Sequence, residues 1–261
     1  HAHARQRKSR SSPPEEKMIL KTEGIVLKRF DFRETSRIAT FFTRDHGKIK
    51  GVLKGIRKDH KKFGSNIDQF SVNDIVYYFH RDADLHLVGQ CDLKAFFFKI
   101  RQDVKRTLAA SYALELVDAI MPTEEKNEPI YDLLLRYLNT LEDTDDVNKL
   151  VHVFQIKILL LSGFRPFLDS CVVCQAKISP KMHFSMKLGG LICENCYGND
   201  HSATHVSRGT IATLTHIEKH EWENILRLKL TALTQKELKF ILNNFLVYHL
   251  ERHMRSARYL K

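Results

Sequence analysis

The feature that most restricts how this chain can fold is a pair of Cys-x-x-Cys motifs with eighteen residues between them. Cys171 and Cys174 form the first motif, and Cys193 and Cys196 form the second. Each motif can hold a metal ion from a tight turn, and two such turns complete a tetrahedral shell of four thiolates. A Gly-Gly pair ahead of the second motif allows the chain to turn back toward the first. The spacing therefore predicts one structural Zn²⁺ per chain, bound by these four cysteines.

Two other interpretations of the cysteines stay open at this point. The first is that all four are free or redox-active thiols. The second is a catalytic zinc, which needs an open coordination position, so that His183, His201 or His205 would have to replace a cysteine. The zinc deaminases place a His-x-Glu motif ahead of their cysteines, whereas the His-Ile-Glu sequence at 216–218 follows them here. We therefore favour a closed, structural site.

The rest of the sequence gives no sign of an enzyme or of a membrane span. It contains none of the phosphate-binding, dinucleotide-binding, hydrolase or metalloprotease motifs. It also has no stretch near the roughly 20 apolar residues that a membrane span needs. The fifth cysteine, Cys91, is expected to pack in the core. An odd number of cysteines with paired spacing favours metal binding in a reducing compartment over disulfides.

The chain is basic, with 42 Lys and Arg against 31 Asp and Glu, a formal net charge of +11. Residues 1–17 carry +3 of that charge and have no apolar period, so we interpret them as a disordered extension or a tag remnant. The remainder keeps a charge of +8. Such an excess favours a polyanionic partner over a basic surface that is only solvated. An anionic membrane is less favoured, because no isolated basic amphipathic helix is evident.

The pattern of apolar residues changes near residue 100. Before it, five short runs favour β-strands, at 19–29, 38–43, 48–54, 75–79 and from 85 onward. They predict a small barrel or sandwich, with a mobile basic loop at 55–64. After it, helical spacing predicts a helix that stops at Pro122, one that starts at Pro129, and one capped by Asp146 that ends at Gly163. Further helices are predicted at 210–219 and 234–254, the latter opened by a capping box from Thr234 to Glu237.

The predicted barrel carries clustered cations with interleaved aromatic residues. Lys48, Lys50 and Lys54 recur at even spacing, which puts them on one face of a strand. The full basic set predicted to bind DNA is Arg33, Arg37, Lys48, Lys50, Lys54, Arg57, Lys58, Lys61 and Lys62. The aromatic residues are Phe30, Phe32, Phe63, Phe70, Tyr77, Tyr78 and Phe79. Cations would bind phosphates and rings would stack on bases, as in single-stranded nucleic-acid binding. The alternative is that most of the rings are core and the basic face is solvated.

Three segments together resemble the RecO family of bacterial recombination mediators. They are 21–27 (KTEGIVL), 33–36 (RETS) and 163–169 (GFRPFLD), the last of which runs into the first cysteine pair. The resemblance covers 18 to about 260 and implies an α+β protein with an N-terminal OB-fold. A helical bundle with an inserted four-cysteine zinc module would follow. The expected boundaries are 18–98 for the OB-fold, 99–170 and 201–261 for the bundle, and 171–200 for the module.

The resemblance also implies a cytoplasmic, nucleoid-associated role without enzymatic chemistry. Members of this family bind single- and double-stranded DNA and anneal complementary strands. With RecR they help to load RecA onto DNA coated by single-stranded DNA-binding protein, whose acidic C-terminal tail they engage. A different class of function is a zinc-stapled scaffold that binds proteins and not DNA. A metal-dependent hydrolase is a more distant alternative.

Overall fold

The structure is a computed structural model, and it describes residues 18–58, 63, 67–81 and 83–259. The N-terminal extension at 1–17 and the cations Lys61 and Lys62 therefore lie outside the described residues. In the described part of the chain, no helix is both long and apolar enough to cross a membrane.

The first third of the chain is a closed five-stranded barrel. Its strands are β1 (Met18–Phe32), β2 (Ser36–Thr43), β3 (Gly47–Leu53), β4 (Val72–Phe79) and β5 (His86–Ala95). Their order around the barrel is β1-β2-β3-β5-β4, and β1 pairs with β4 to close it. All pairs are antiparallel except β3 with β5. This is the partly Greek-key arrangement of an OB-fold, so the predicted fold class is confirmed.

Side chains alternate between the two faces of each strand, and those on the inner face fill the barrel. Ala39 and Phe41 of β2 and Ile49 and Leu53 of β3 point inward, into a core that also contains Cys91. Cys91 is fully buried, and burial raises the pKa of its thiol far above the usual value, so it is a packing residue as predicted. A tight turn joins β2 to β3 at the predicted position.

The helical bundle surrounds the second and larger core. Its helices are α1 (Phe98–Gln102), α2 (Val104–Ile120), α3 (Glu128–Asp143), α4 (Val147–Leu161), α5 (Arg208–Lys219), α6 (Trp222–Leu226) and α7 (Ala232–Leu250). Several predicted ends are confirmed. The Asp146 side chain accepts from the backbone N–H of Lys149 at 3.0 Å and caps α4. At the other end of α4, Gly163 adopts a φ of +82° and Phe164 N donates to Leu159 O, which is a Schellman motif.

The predicted start of the last helix is wrong by one turn. Thr231 is the N-cap, and its hydroxyl accepts from the N–H of Thr234 at 3.1 Å. Glu237 therefore does not cap its own helix. Its carboxylate instead accepts from the N–H and hydroxyl of Ser207, the N-cap residue of α5, at 3.0 and 2.7 Å. A local sequence pattern could not distinguish the two roles, because the partner lies 30 residues away.

The cysteine-rich segment forms a three-stranded sheet inserted between α4 and α5. Its strands are β6 (Met182–Ser185), β7 (Gly190–Cys193) and β8 (Thr204–Val206), in the order β7-β6-β8. The sheet thus reaches beyond residue 200, where the module was predicted to end. Phe184 and Leu191 belong to the bundle core, and the Phe184 ring lies 5.6 Å from that of Phe245 on α7. The insertion is therefore packed against the bundle rather than projecting from it.

Candidate metal centre and basic barrel face

The four cysteines come together as predicted. Their sulfur atoms all lie within 4.8 Å of one another, and Cys174 Sγ is 3.6 Å from Cys193 Sγ. The first pair lies on a turn in which the carbonyl of Cys171 accepts from the N–H of Gln175 at 2.9 Å. Cys193 ends β7, and Cys196 lies in the 3-10 turn that follows it. A sheet and a turn from distant parts of the segment thus assemble one cluster.

The electrostatics of the cluster suit a cation. Burial disfavours the thiolate of Cys171, but the N–H groups of Cys174, Cys193 and Val173 outweigh it and lower the pKa of that thiol to about 6. The side-chain hydrogen bond with Cys174 leads the effects that raise the pKa of the Cys196 thiol to about 12, and burial and the charge of Cys171 add to it. A bound metal ion offsets these effects by neutralising the sulfurs together. The four cysteines could therefore hold a metal ion.

The nearby histidines are not part of this cluster. Among the described residues, the group of candidate ligands around the cysteines contains no histidine. His183 is on β6, with its ring 4.7 Å from that of Tyr197 and 5.8 Å from that of His205. His201 lies against the other side of Tyr197, at 5.6 Å between rings. These contacts give the histidines a packing role in the module.

The seven predicted DNA-binding cations that the structure describes divide into three groups. The exposed ones on or beside β2 and β3 are Arg33, Lys50, Lys54, Arg57 and Lys58. The Arg37 side chain is 14% exposed and pairs with Asp31 at 3.0 Å. Asp31 also lies 3.7 Å from Arg57, and the hydrogen bond from Arg37 leads the effects that lower the pKa of its carboxyl. The third group is Lys48 alone.

Lys48 has the predicted orientation but a different environment. It points outward from β3, as does Lys50, because side chains alternate along a strand. The end of the strand that carries it is covered by α2. Lys48 Nζ lies 3.2 Å from a carboxylate oxygen of Asp118 and donates to the backbone oxygen of the same residue at 2.7 Å. Its position joins the barrel to the bundle, so we do not include it in the exposed basic face.

The aromatic residues of the barrel also separate in the structure. Phe63, Phe70 and Tyr77 are buried, as the alternative interpretation expected. Phe30 and Tyr78 are exposed, at 55% and 38%. The sequence analysis did not distinguish these two, although both occupy the outward phase of their strands. It also did not single out Ile38 and Val52, apolar residues at outward positions of β2 and β3 that are 7% and 8% exposed.

Comparison with known proteins agrees with this architecture. The family profile described as "Recombination protein O N terminal" matches residues 18–97, and "Recombination protein O C terminal" matches 101–258. The chain belongs to the RecO family. The first profile spans the barrel and the second spans the bundle with its cysteine-rich insertion, so both parts of the chain are covered.

Relatives extend the same similarity over nearly the whole chain. The DNA repair protein RecO of Alkaliphilus metalliredigens is 32% identical over 236 residues, which cover 90% of this chain and 95% of the relative. The RecO of Syntrophus aciditrophicus is 32% identical over 244 residues, covering 92% and 94%. That of Moorella thermoacetica is 30% identical over 244 residues, covering 93% and 90%. The family places this chain among proteins of DNA repair and recombination.

Proposed function

We propose that this chain is a DNA-binding recombination mediator that acts without bond chemistry. It binds single- and double-stranded DNA, anneals complementary strands, and with RecR helps to load RecA onto DNA coated by single-stranded DNA-binding protein. The observation that carries this proposal is the exposed basic face, by which we mean Arg33, Lys50, Lys54, Arg57 and Lys58. These cations gather on strands β2 and β3 and the adjoining loops, the part of an OB-fold that commonly contacts oligonucleotides.

The physical basis is neutralisation of phosphates. Each cation that contacts a phosphate releases condensed counterions, so the logarithm of affinity falls with the logarithm of salt concentration by about 0.7 per contact for single strands. Five contacts would give a slope of about −3.5. Two strands held on one basic face repel each other less than they do in solution, which accelerates annealing.

A triple charge reversal tests this function. We expect Lys50→Glu, Lys54→Glu and Lys58→Glu together to lower the affinity for a single-stranded oligonucleotide and to flatten its salt slope. The matched control reverses Lys177, Lys181 and Lys187, which are exposed lysines of the cysteine-rich module, and changes the net charge by the same amount. If both triple variants and the wild type show the same affinity and the same salt slope, the DNA-binding proposal is contradicted, and a scaffold that binds proteins becomes the better explanation.

We propose that the metal is Zn²⁺, one per chain, with a structural role. Four thiolates close a tetrahedral shell and leave no position for a substrate or an activated water. Cys171, Cys174, Cys193 and Cys196 would hold the ion, and its binding energy would add to the stability of the small β6–β8 sheet. Elemental analysis of the purified chain should give one zinc per chain. Iron at that stoichiometry would contradict the assignment.

The proposed acidic tail of single-stranded DNA-binding protein needs a cationic, partly apolar cleft. A cavity of about 290 Å³ between α4 and α7 has these properties, with Val151, His152, Lys236 and Lys239 in its lining. At its base, Gln155 donates to the hydroxyl of Tyr112 at 2.6 Å. We propose this cleft for the tail. Lys236→Glu should weaken binding of an acidic tail peptide, whereas Lys229→Glu, an exposed lysine outside the cleft, should not.

A further inference from the structure

A continuous row of apolar side chains runs around the outside of the barrel. In order, its members are Phe30, Ile38, Val52, Leu87, Tyr78 and Ile19, and each is the register partner of the next across neighbouring strands. Their strand neighbours Ala39, Tyr77 and Val88 point into the barrel core. Because side chains alternate along a strand, these six side chains face outward. We call them the apolar row.

The apolar row has a closed middle and exposed ends. Ile38 and Val52 are only 7% and 8% exposed, whereas Phe30 beside them is 55% exposed. In the other half of the row, Leu87, Tyr78 and Ile19 are 37%, 38% and 61% exposed. Outward positions of an antiparallel sheet that faces water are normally polar. Exposed apolar side chains at such positions, Phe30 at one end and Leu87, Tyr78 and Ile19 in the other half, mark candidate binding sites.

In the described part of the chain, the helical bundle contacts the barrel away from the Phe30 end of the apolar row, and the segment after α2 reaches the other half, where Glu124 pairs with His86 beside Leu87 at 2.9 Å. The bundle docks on the barrel at Phe42 of β2, whose ring lies 5.9 Å from that of Tyr131 on α3, and at Lys48 of β3. Ile38 and Val52 are each four residues away from these contacts along their strands, or about 13 Å. Phe30, Ile38 and Val52 therefore lie toward the end of the barrel that carries the β1–β2 loop, whereas Tyr78, Leu87 and Ile19 lie toward the opposite end, beside the β4–β5 loop.

Charge separates the two halves of the apolar row. On the β2–β3 side, exposed Lys50 and Lys54 each lie two residues from Val52 along the chain, on opposite sides of it, and Arg33 lies in the loop beyond Phe30. In the other half of the barrel, Asp74 is the register partner of both Glu23 and Asp92, four or five residues along the strands from the row, and Lys94 pairs with Glu23 and Asp74. An anionic ligand is thus favoured on the half of the row that contains Phe30.

We infer that Phe30 stacks on a base of single-stranded nucleic acid, with Tyr78 as a second, weaker platform. Phe30 is the register partner of Ile38, which pairs in turn with Val52, and the exposed cations Lys50 and Lys54 flank Val52 along β3 and the loop after it, where they could bind the phosphates of the same strand. Phe30 and Tyr78 are separated by four interstrand steps of about 4.8 Å, or about 19 Å around the barrel. This inference rests on the proposed DNA-binding function.

The consequence is a preference for single strands. An unpaired base offers both faces of its ring, whereas bases of a duplex are stacked inside it. Stacking on one aromatic side chain changes affinity by about 5- to 150-fold per base and tolerates any sequence. The exposed basic face by itself would bind both forms of DNA, because both carry phosphates. The apolar row adds a contribution that only single strands receive.

The test compares two oligonucleotides of equal length and equal phosphate number, oligo(dT) and its fully abasic counterpart. Wild-type protein should bind oligo(dT) at least about fivefold more tightly. Phe30→Ala should remove most of that difference while leaving the affinity for the abasic strand and the salt slope unchanged. Phe30→Trp should retain it and Phe30→Leu should lose it, since stacking needs a ring. The control is Phe98→Ala, an equally exposed phenylalanine on α1 at 61%, which should behave as the wild type.

The outcomes separate this inference from the proposed function. If wild-type protein binds neither strand, the proposed DNA binding fails. If it binds both strands equally, or if Phe30→Ala keeps the preference for oligo(dT), DNA binding stands and the stacking role of Phe30 is wrong. If Phe30→Ala abolishes self-association measured by sedimentation and leaves DNA affinity intact, the row is an interface between copies of the chain, which also contradicts the inference. Thermal unfolding of each variant checks that the barrel is intact.

Discussion

Lys48 of β3 donates a hydrogen bond to the backbone oxygen of Asp118 on α2 at 2.7 Å, and its ammonium lies 3.2 Å from the carboxylate of the same residue. Lys28 of β1 binds that carboxylate as well. Asp118 of the bundle thus pairs with two lysines that lie on different strands of the barrel. Arg44 makes a second link of this type, to Asp132 of α3 at 2.6 Å. The barrel and the bundle are therefore joined by charge pairs as well as by apolar packing.

Removing the carboxylate of Asp118 should weaken this junction. In Asp118→Asn, Lys48 keeps the backbone oxygen but loses its counter-charge, and Lys28 loses its only described partner in the bundle. Because the Asp118 side chain is only 13% exposed, we expect a loss of about 2 kcal/mol in the free energy of unfolding. Urea denaturation measures it.

Asp169→Asn provides the control for that variant. Asp169 also pairs with two cations, Arg165 and Lys219, but all three side chains are well exposed. Exposed pairs contribute at most about 1 kcal/mol. A loss in Asp118→Asn no larger than that in Asp169→Asn would show that the junction depends on apolar packing alone.

The same carboxylate predicts how stability depends on pH. Burial alone would raise the pKa of Asp118, but the hydrogen bond from Lys28 and the charge of Lys48 outweigh burial and hold it below the usual value. The unfolded state therefore binds the proton more readily, so the stabilisation is complete above a pH of about 4 and is lost as pH falls through the lower, folded pKa. Glu23, whose pKa is also lowered, acts in the same direction.

Urea denaturation between pH 7 and pH 3 measures that contribution. The wild-type protein should lose more stability on acidification than Asp118→Asn, and the difference between the two should shrink toward the acid end. Curves that stay parallel over the whole range would contradict the lowered pKa of Asp118.

Removal of the proposed zinc should loosen the cysteine-rich module and spare the barrel. The four sulfurs belong to a small sheet that packs on the bundle core, whereas the barrel has its own core. After chelation, amide hydrogen exchange should rise over 171–206 and change little over 18–53, and the affinity for a single-stranded oligonucleotide should stay within about twofold. Cys174→Ser should reproduce the effect. Complete loss of DNA binding with an intact barrel would contradict this separation.

Gly47 is expected to be intolerant of any side chain. Its φ is +66°, and a Cβ atom there would lie 2.1 Å from the backbone oxygen of Glu125, in the segment between α2 and α3. Both the strained backbone and the clash oppose alanine, so Gly47→Ala should cost about 3 kcal/mol or more of unfolding free energy. Gly198→Ala is the control, because nothing lies within 4 Å of its Cβ position. Similar stabilities of the two variants would contradict the close approach at Gly47.

Local patterns in the sequence predicted the elements of this fold well. Alternation in 38–54 indicated a strand pair, and the Asp146 cap and the Gly163 terminus marked both ends of α4. These signals depend on backbone conformation and hydrogen bonds within a few residues, so they can be recognised without knowing the rest of the molecule. The four cysteines belong to the same class, because metal coordination imposes a spacing on each pair.

Contacts between segments that are distant in the sequence could not be predicted from such local patterns. Alternation put Lys48 and Lys50 on one face of β3, but it could not show that Asp118 lies 70 residues later against only one of them. The sequence predicted that Glu237 caps its own helix, α7. In the structure its carboxylate instead accepts hydrogen bonds from Ser207, the N-cap residue of α5. In both cases a polar side chain has several possible partners along the chain, and the packing of helices decides which of them is near.

By itself, the sequence determined that this protein has a β domain, a helical domain and a cluster of four thiols, because strand period, helix period and cysteine spacing are local properties. The tertiary structure alone decided which residues of the basic, aromatic barrel are available to a ligand. Phe30 is exposed and Tyr77 buried, and Lys50 is exposed while Lys48 is paired, because closure of the barrel and docking of α2 and α3 set the solvent access of each position. Solvent access depends on packing throughout the molecule, so the periodicity of a local sequence pattern cannot predict it.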